Sequence, residues 1–382
     1  MISTCSVMDR VVEQAGLAGI AEKVAAGERL SFAEGVRLYE CQDLTAVGYL
    51  ANGVRERFHG DDTFFVRNQH INYTNICNKD CKFCSFYAKK GGPAAYELSI
   101  EQIVERVRRF AHVPITEIHI VGGINPRLKY SYYLDMLRAL KAERPNASLK
   151  AFTMIELQQI ARVAGKPVRE TIIDLMEAGL GASPGGGAEV LTQRVHEELY
   201  KRKLDAGEWL ETARIAHGLG LKGNATMLYG HIESLPERVE HLCRLRELQD
   251  ETGGFLAFIP LAFDPQNTEL SHVPRSTGVD DLKTIAVARL MLDNFVHVKA
   301  FWMMITPPVA QLALRYGAND LDGTIMHYEI THVIDRSNDQ ALTLERMVDL
   351  IREAGRVPLE RDALYNVVQR WDSLPSLAMT AA

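Results

Sequence analysis

Ile71-Asn-Tyr-Thr-Asn-Ile-Cys77-Asn-Lys-Asp-Cys81-Lys-Phe-Cys84-Ser-Phe-Tyr87 carries three cysteines, with three residues between the first pair and two between the second. Thiolates this close along a chain do not encircle one metal ion and then continue into regular structure. A compact loop does wrap them around an iron–sulfur cube. A cube has four irons, so three cysteine ligands leave one iron open for chemistry. Other uses of the thiols fit the sequence less well. Structural zinc takes four protein ligands, commonly in pairs, whereas Cys5, Cys41 and Cys243 stand alone and His70 lies well upstream. Six cysteines in 382 residues are too sparse for a disulfide framework.

Working outward, His70, Asn72 and Thr74 alternate with Gln69, Ile71 and Tyr73, a period-two strand that delivers the cysteine loop at its end. Short apolar strands and amphipathic helices then alternate. Strands are expected over 116–121, 149–155, 179–184, 224–230, 255–260, 297–304 and, less sharply, 321–325. Helices are expected over 99–110, 132–141, 169–178, 234–249 and 277–294, with further ones opening near Asp205 and Val309. Strand–helix units in series imply a parallel sheet with right-handed crossovers. At this length the expected fold is α/β, a closed (β/α)8 TIM-type barrel with functional residues at the C-terminal strand ends. Residues 1–60 read as an N-terminal helical extension, helical over 11–26 and 31–50, with Ser31-Phe-Ala-Glu34 as a capping box. Residues 61–325 form the barrel, and residues 326–382 read as a C-terminal helical extension packed on it, helical over 342–354 and 361–371.

Composition narrows the function. A hydrophobic content of 47% supports a large core. The net charge of −6 comes without a basic block, which argues against nucleic-acid binding. No apolar run is long enough to span a bilayer, and the start lacks the basic-then-apolar order of a signal peptide. With reduced cysteines and an oxygen-sensitive cluster, the expected compartment is the cytoplasm.

Further polar and glycine-rich residues stand at expected strand ends. Gly122-Gly123 either brings backbone close to a ligand or makes an ordinary turn. Glu156 accepts hydrogen bonds from a ribose or ammonium, or starts a helix. Ser183-Pro-Gly-Gly-Gly-Ala-Glu189 brings backbone toward a ligand or the barrel floor, with Glu189 on substrate or capping a helix. In Tyr229-Gly-His231, the histidine is a proton-transfer candidate or a structural imidazole. Asn267 and Thr268 offer an amide and a hydroxyl, and Asp320 lies in a polar loop at the last strand. Arg289 with Asp293 reads as an architectural ion pair, Trp302 to Met304 as packing, and Arg352, Arg356 and Arg361 as surface helix charges.

The cysteine spacing, with aromatic Phe83 before the third cysteine, resembles that of the radical S-adenosylmethionine (SAM) superfamily. There the open iron chelates SAM, and an electron from the cluster releases a 5′-deoxyadenosyl radical. Gly122-Gly123, one strand later, resembles the superfamily motif for the methionine amino group. From about residue 68 to 365 the chain looks like the aminofutalosine synthase family. The likeness rests on Asn72-Tyr-Thr-Asn-Ile-Cys77, His119-Ile-Val-Gly-Gly123, Lys150-Ala-Phe-Thr153, Pro184-Gly-Gly-Gly-Ala-Glu189, Met227-Leu-Tyr-Gly-His231, Asp250-Glu-Thr-Gly-Gly-Phe255 and Gly317-Ala-Asn-Asp-Leu-Asp-Gly323. Ile-Val-Gly-Gly in place of Gln-Gly-Gly, and Asp-Leu-Asp-Gly in place of Asp-Met-Gly-Ser, separate it from sister enzymes. Asn125, where the family pattern has histidine, and the stretch from Met326 to Glu329 are departures.

The resemblance implies a 4Fe-4S cluster on Cys77, Cys81 and Cys84, with SAM as co-substrate near Phe83, Gly122, Gly123, Glu156 and Ser183. It implies a small-molecule substrate, 3-[(1-carboxyvinyl)oxy]benzoate, near Asn72, Tyr229, Asn267, Thr268 and Asp320, with His231 and Glu189 as catalytic groups. The radical adds to the vinyl carbon; rearrangement and loss of bicarbonate give 6-amino-6-deoxyfutalosine and methionine, in menaquinone biosynthesis. A one-electron donor such as flavodoxin or ferredoxin is implied, and a homodimer is compatible with it. A sister radical SAM enzyme (cyclic dehypoxanthine futalosine synthase or a deazaflavin-forming synthase) and an iron–sulfur electron carrier stay open as alternatives.

Overall fold

The computed structural model describes residues 7–324 and 341–371, so Cys5, Ile325 and the 326–329 departure lie outside the described residues. Four helices come first: α1 (Val7–Gln14), α2 (Ala18–Ala26), α3 (Phe32–Glu40) and α4 (Leu44–His59). They replace the two longer helices expected here. Gly16, at a φ of +68°, separates α1 from α2, and Cys41 leaves helical geometry before Asp43 caps α4. A left-handed glycine and a fresh N-cap each restart the chain in a new direction. The Ser31–Glu34 capping box forms at α3.

The rest of the chain runs β1 (Asp62–Val66), β2 (Asn68–Ile71), α5 (Ile100–Arg108), β3 (Glu117–Ile120), α6 (Tyr130–Glu143), β4 (Ser148–Ala151), α7 (Met154–Ala164), α8 (Val168–Glu177) and β5 (Leu180–Ala182). It continues with α9 (Gln193–Leu199), α10 (Ala206–Gly218), β6 (Gly223–Tyr229), α11 (Leu235–Thr252), β7 (Phe255–Ala262), α12 (Gly278–Met291), β8 (His297–Val298), α13 (Trp302–Ile305), α14 (Pro307–Ala313) and β9 (Asp320–Gly323). After the undescribed residues come α15 (Leu344–Glu353), β10 (Val357–Arg361) and β11 (Val367–Arg370).

β1 and β2 are one extended path that changes partners at Arg67: β1 pairs with β9 and β10, β2 with β3. Parallel pairing proceeds from β2 through β3 and β4 to β5, and from β6 through β7 to β8. Single bridges, Ser183 to Gly223 and Lys299 to Asp320, close the two seams. The outcome is a (β/α)8-type barrel of short strands, and the cysteine loop leaves the C-terminal end of β2.

Several expected elements differ. The strand of 149–155 stops at Ala151, because Thr153 and Glu156 close a capping box that starts α7. Of the 297–304 strand, His297 and Val298 pair with β7 and Lys299 makes a single bridge to Asp320, after which Trp302 opens a helical turn. Residues 361–371 are not helical. Val357–Arg361 instead forms β10, parallel to β1, and β11 folds back on it antiparallel. Arg289 is not paired with Asp293: it donates to the Gly317, Phe295 and Val296 carbonyls and to Asn319 Oδ1, while Asp293 meets Arg29 at 2.9 Å. Arg356 and Arg361 are buried rather than surface charges.

Candidate active site at the mouth of the barrel

A cavity of about 320 Å³ lies inside the barrel, and the cysteine loop forms one wall of it through Cys77, Cys81, Phe83 and Cys84. Bridges from Thr74 to Glu97 and from Ile76 to Ala88 fold the loop onto itself. Lys82 N donates to Leu199 O at 3.1 Å, tying the loop to the end of α9. All three cysteines are free thiols. Burial pushes the Cys81 thiol up to about 12 and raises Cys84 as well; a metal bound by these sulfurs would displace the protons they hold. Among the described residues, no three or more His, Cys, Asp or Glu side chains gather around one point to hold a single ion. The donor set, three soft thiolates of one loop facing a common cavity, suits an iron–sulfur cube with one corner turned inward.

The glycines at the end of β3 are there for a steric reason. A Cβ on Gly122 would stand 2.6 Å from the Tyr73 ring, and one on Gly123 only 2.4 Å from the Ile76 carbonyl oxygen. Gly123 N donates to Thr74 O at 2.8 Å. The cysteine loop therefore rests directly on the Gly122-Gly123 backbone, which forms the adjacent cavity wall. Glu156, also in that wall, fixes the arrangement from beneath. Its Oε1 accepts from Tyr73 Oη at 2.8 Å and Gly122 N at 3.1 Å. Its Oε2 accepts from Thr153 N and Thr153 Oγ1, each at 2.8 Å. Burial raises its carboxyl above the ordinary range despite those donors.

Glu189, at a φ of +47°, lines the cavity and is ion-paired with Lys203. Lys203 was not among the residues singled out from sequence. Burial alone would lower its ammonium, yet the Glu189 carboxylate holds it above the usual lysine range. Its Nζ lies 5.2 Å from the Phe83 ring centre, a cation–π distance. At the inner end of the cavity, His70 of β2 and His119 of β3 stack with ring centres 4.6 Å apart. Asp322, at a φ of +66°, joins them and is bonded to Lys299 at 2.6 Å. Next to them, Lys150, the register partner of His119, meets Glu117, and Arg361 meets Asp320, both at 2.6 Å.

Other residues named from sequence do not line this cavity. Ser183 Oγ donates to Phe152 O at 2.9 Å, and Asn72 Nδ2 to Val121 O at 3.0 Å. Tyr229 Oη donates to Asp281 at 2.8 Å. His231 has a fully buried side chain, with Nδ1 2.9 Å from Glu233. Asn267 sits in a turn at a φ of +57°, and Thr268 Oγ1 donates to Pro265 O. Asp320 is engaged by Arg361 below the cavity. The stacked histidines are direct register partners on neighbouring parallel strands; the sequence offers only the alternation within each strand, not the pairing that brings the two rings together.

Comparison with known proteins agrees with this geometry. Residues 71–245 match the radical SAM superfamily, and residues 252–374 match the CofH/MqnC C-terminal region. An aminodeoxyfutalosine synthase of Thermus thermophilus is 46% identical over 367 residues, covering 95% of this chain and 99% of the relative. One from Streptomyces coelicolor is 42% identical, covering 92% and 94%. The chain belongs to the aminodeoxyfutalosine synthase family of radical SAM enzymes. A cyclic dehypoxanthine futalosine synthase of Halalkalibacterium halodurans is similar at 36% identity, covering 93% of this chain and 95% of that one.

Two solved structures share the fold. Methylornithine synthase superposes with a TM-score of 0.71 at 17% identity, covering 88% of this chain and 96% of that one. The hydrogenase maturase HydG of Carboxydothermus hydrogenoformans gives 0.70 at 16% identity, covering 94% and 84%. Membership of the superfamily implies a 4Fe-4S cluster and the use of SAM. No helix among the described residues is long and apolar enough to cross a membrane.

Proposed function

We propose that the chain is an aminodeoxyfutalosine synthase that joins the adenosyl group of SAM to 3-[(1-carboxyvinyl)oxy]benzoate. The observation that carries this reading is the near full-length identity of 46% and 42% to two synthases of that name, in a chain whose three free thiols face one cavity. Cys77, Cys81 and Cys84 would hold the cluster. When bound, the cluster with SAM supplies a carbon-centred radical. The chain's own residues bind, orient and exclude. Gly122 and Gly123 bring backbone to the cavity wall without side chains in the way. Lys203, paired with Glu189, places a cation among the thiols. Leu228, Ile259, Leu261 and Met304 give the cavity an apolar flank, which excludes water and holds the reacting groups in one orientation. His70 and His119 stand at the inner end, where an imidazole N–H can donate to a substrate carboxylate or ether oxygen, and Asp322 beside them is engaged by Lys299. Glu156 acts as a positioning residue, since all its donors come from the chain.

The reaction we propose releases methionine and places the adenine in the product. The test is anaerobic reconstitution with iron and sulfide, then incubation with SAM, reductant and the carboxyvinyloxybenzoate, with mass analysis. An adenosylated product with little free 5′-deoxyadenosine is expected. Stoichiometric 5′-deoxyadenosine without adduct would replace this reading with a hydrogen-abstracting sister reaction. The proposed site of action is the cytoplasm, with an electron supplied by a separate carrier.

A further inference from the structure

Asn224 of β6 holds a side-chain amide with nothing to bond. The residue is fully buried, and among the described residues neither its Oδ1 nor its Nδ2 has a hydrogen-bond partner. A donor and an acceptor withdrawn from water without replacement are costly, and an orphan of this kind calls for a specific reason. The backbone around it is pinned. Asn224 N donates to Ser183 O at 3.2 Å, and Gly185, at a φ of +82°, lies so close that a Cβ there would stand 1.8 Å from Asn224 O. Only the amide is uncommitted.

Strand alternation gives its direction. Thr226 and Leu228 line the cavity, and Asn224 shares their face of β6. Ser183 bridges Gly223, which sets Asn224 beside Pro184, another residue of the cavity wall. Its register partner on β7 is Ala257, which offers only a methyl group on that side. Positive charge stands on the same inward face in Lys150, the register partner of the cavity-lining His119.

We propose that Asn224 is a specificity-determining residue that binds the ring carboxylate of the substrate. The inference rests on the synthase reading above and names the group that this part of the site receives. With the cluster held by the cysteine loop at the mouth, the reacting vinyl carbon lies toward that loop. Asn224 is the second residue of β6, away from the mouth, and the ring carboxylate is the substrate group that points there. The reaction leaves that carboxylate untouched, so one contact can orient the ring throughout. Nδ2 donates to a carboxylate oxygen, and Oδ1 accepts from a water that the carboxylate carries in.

The test compares wild type with Asn224→Leu, both as reconstituted holoenzyme. Leucine keeps the shape of the side chain and removes both polar atoms. Two ligands are titrated by calorimetry: 3-[(1-carboxyvinyl)oxy]benzoate, and 2-phenoxyprop-2-enoate, which lacks the ring carboxylate. Wild type should prefer the first by about tenfold or more, as a hydrogen bond to a charged group provides. The variant should bind the benzoate about tenfold more weakly, with affinity for the phenoxy compound and for SAM unchanged. Its melting temperature without ligand should hold or rise, because two orphaned polar atoms give way to apolar ones of the same shape. Asn224→Ala gives the same comparison of ligands where leucine does not fold. Wild-type affinity for the benzoate in the variant, or equal weakening of both aromatic ligands, overturns the assignment and leaves the synthase reading standing. Wild-type protein that binds SAM but neither aromatic ligand, and forms no adenosylated product, overturns the synthase reading and the assignment with it.

Discussion

Glu156 accepts hydrogen bonds from Tyr73, Gly122 and Thr153, filling both carboxylate oxygens. Those partners belong to three neighbouring strand exits, so a single buried carboxylate sets the relative height of the cysteine loop, the glycine pair and the start of α7. Replacing Glu156 by Gln keeps the size but turns an NH2 toward donors, leaving at least one buried N–H or O–H unmatched. The expected cost is about 1–3 kcal/mol of stability, read as a lower melting temperature. A weaker SAM-induced change in the cluster's electron paramagnetic spectrum is expected as well, because the Gly122 amide would no longer be held. Tyr73→Phe removes only one donor, and about 1 kcal/mol is expected. A Glu156→Gln variant with wild-type melting and an unaltered spectrum would show that the clamp does not position the site. What sequence revealed here was a carboxylate near a strand end. That it is the N3 member of a capping box was readable from Thr153-Met-Ile-Glu156; that Tyr73 and Gly122 share it was not, because they meet Glu156 only through the lateral pairing of strands.

The elements divide by whether their determinants are local. Capping boxes at Ser31, Ser99, Thr153, Asp205 and Ser234 all form, and four of these five helix starts were placed from sequence because the signal lies within four residues. Elements set by long-range partners were not. β10 carries Glu360 and Arg361, both buried, and charges of that kind look like a solvated helix until Arg67 and Asp320 are known to meet them at 2.7 and 2.6 Å. Lys203 and the His70–His119 stack escaped notice for the same reason, whereas the cysteines and glycines were legible through covalent spacing and steric need. The glycine argument makes its own prediction. Gly123→Ala places a Cβ 2.4 Å from a backbone carbonyl of the cysteine loop, which cannot rotate away. The loop should shift, and iron per chain after reconstitution should fall well below wild type. Gly53→Ala is the control: it lies within α4, with nothing within 4 Å of an added Cβ, and should raise stability by about 0.5–1 kcal/mol while iron content stays the same. Equal iron loading in the two variants would remove the steric case for Gly123.

For the whole molecule, the floor of the barrel ties the C-terminal segment to the rest. Arg361 of β10 bonds Asp320 of β9 at 2.6 Å and stands 3.7 Å from Asp322 and 4.0 Å from Glu117 of β3. Lys150 and Lys299 complete a balanced cluster of three cations and three carboxylates. Burial by itself would raise the Glu117 and Asp322 carboxyls, but Lys150 and Lys299 hold both below their ordinary values. A carboxyl with a lower pKa folded than unfolded contributes stability that is complete above the unfolded value and is lost as pH falls toward the folded one. Unfolded Glu and Asp titrate near about 4.3 and 3.9. The melting temperature should therefore be level through neutral pH and drop steeply below about pH 4.5 from this cause. Glu117→Gln should flatten that acid limb while lowering stability at pH 7, because Lys150 is then buried without its counter-charge. Arg361→Met is the sharper probe of closure. It leaves Asp320 and the floor carboxylates one cation short, and breaking a buried pair from one side costs about 3–5 kcal/mol. Because β10 pairs along the full length of β1, that loss should appear as cooperative unfolding of the barrel rather than fraying of the C-terminus. Hydrogen exchange separates the two. Faster exchange in β1 and β9 as well as β10 is expected, whereas faster exchange confined to β10 and β11 would mean that the barrel closes without its C-terminal strand.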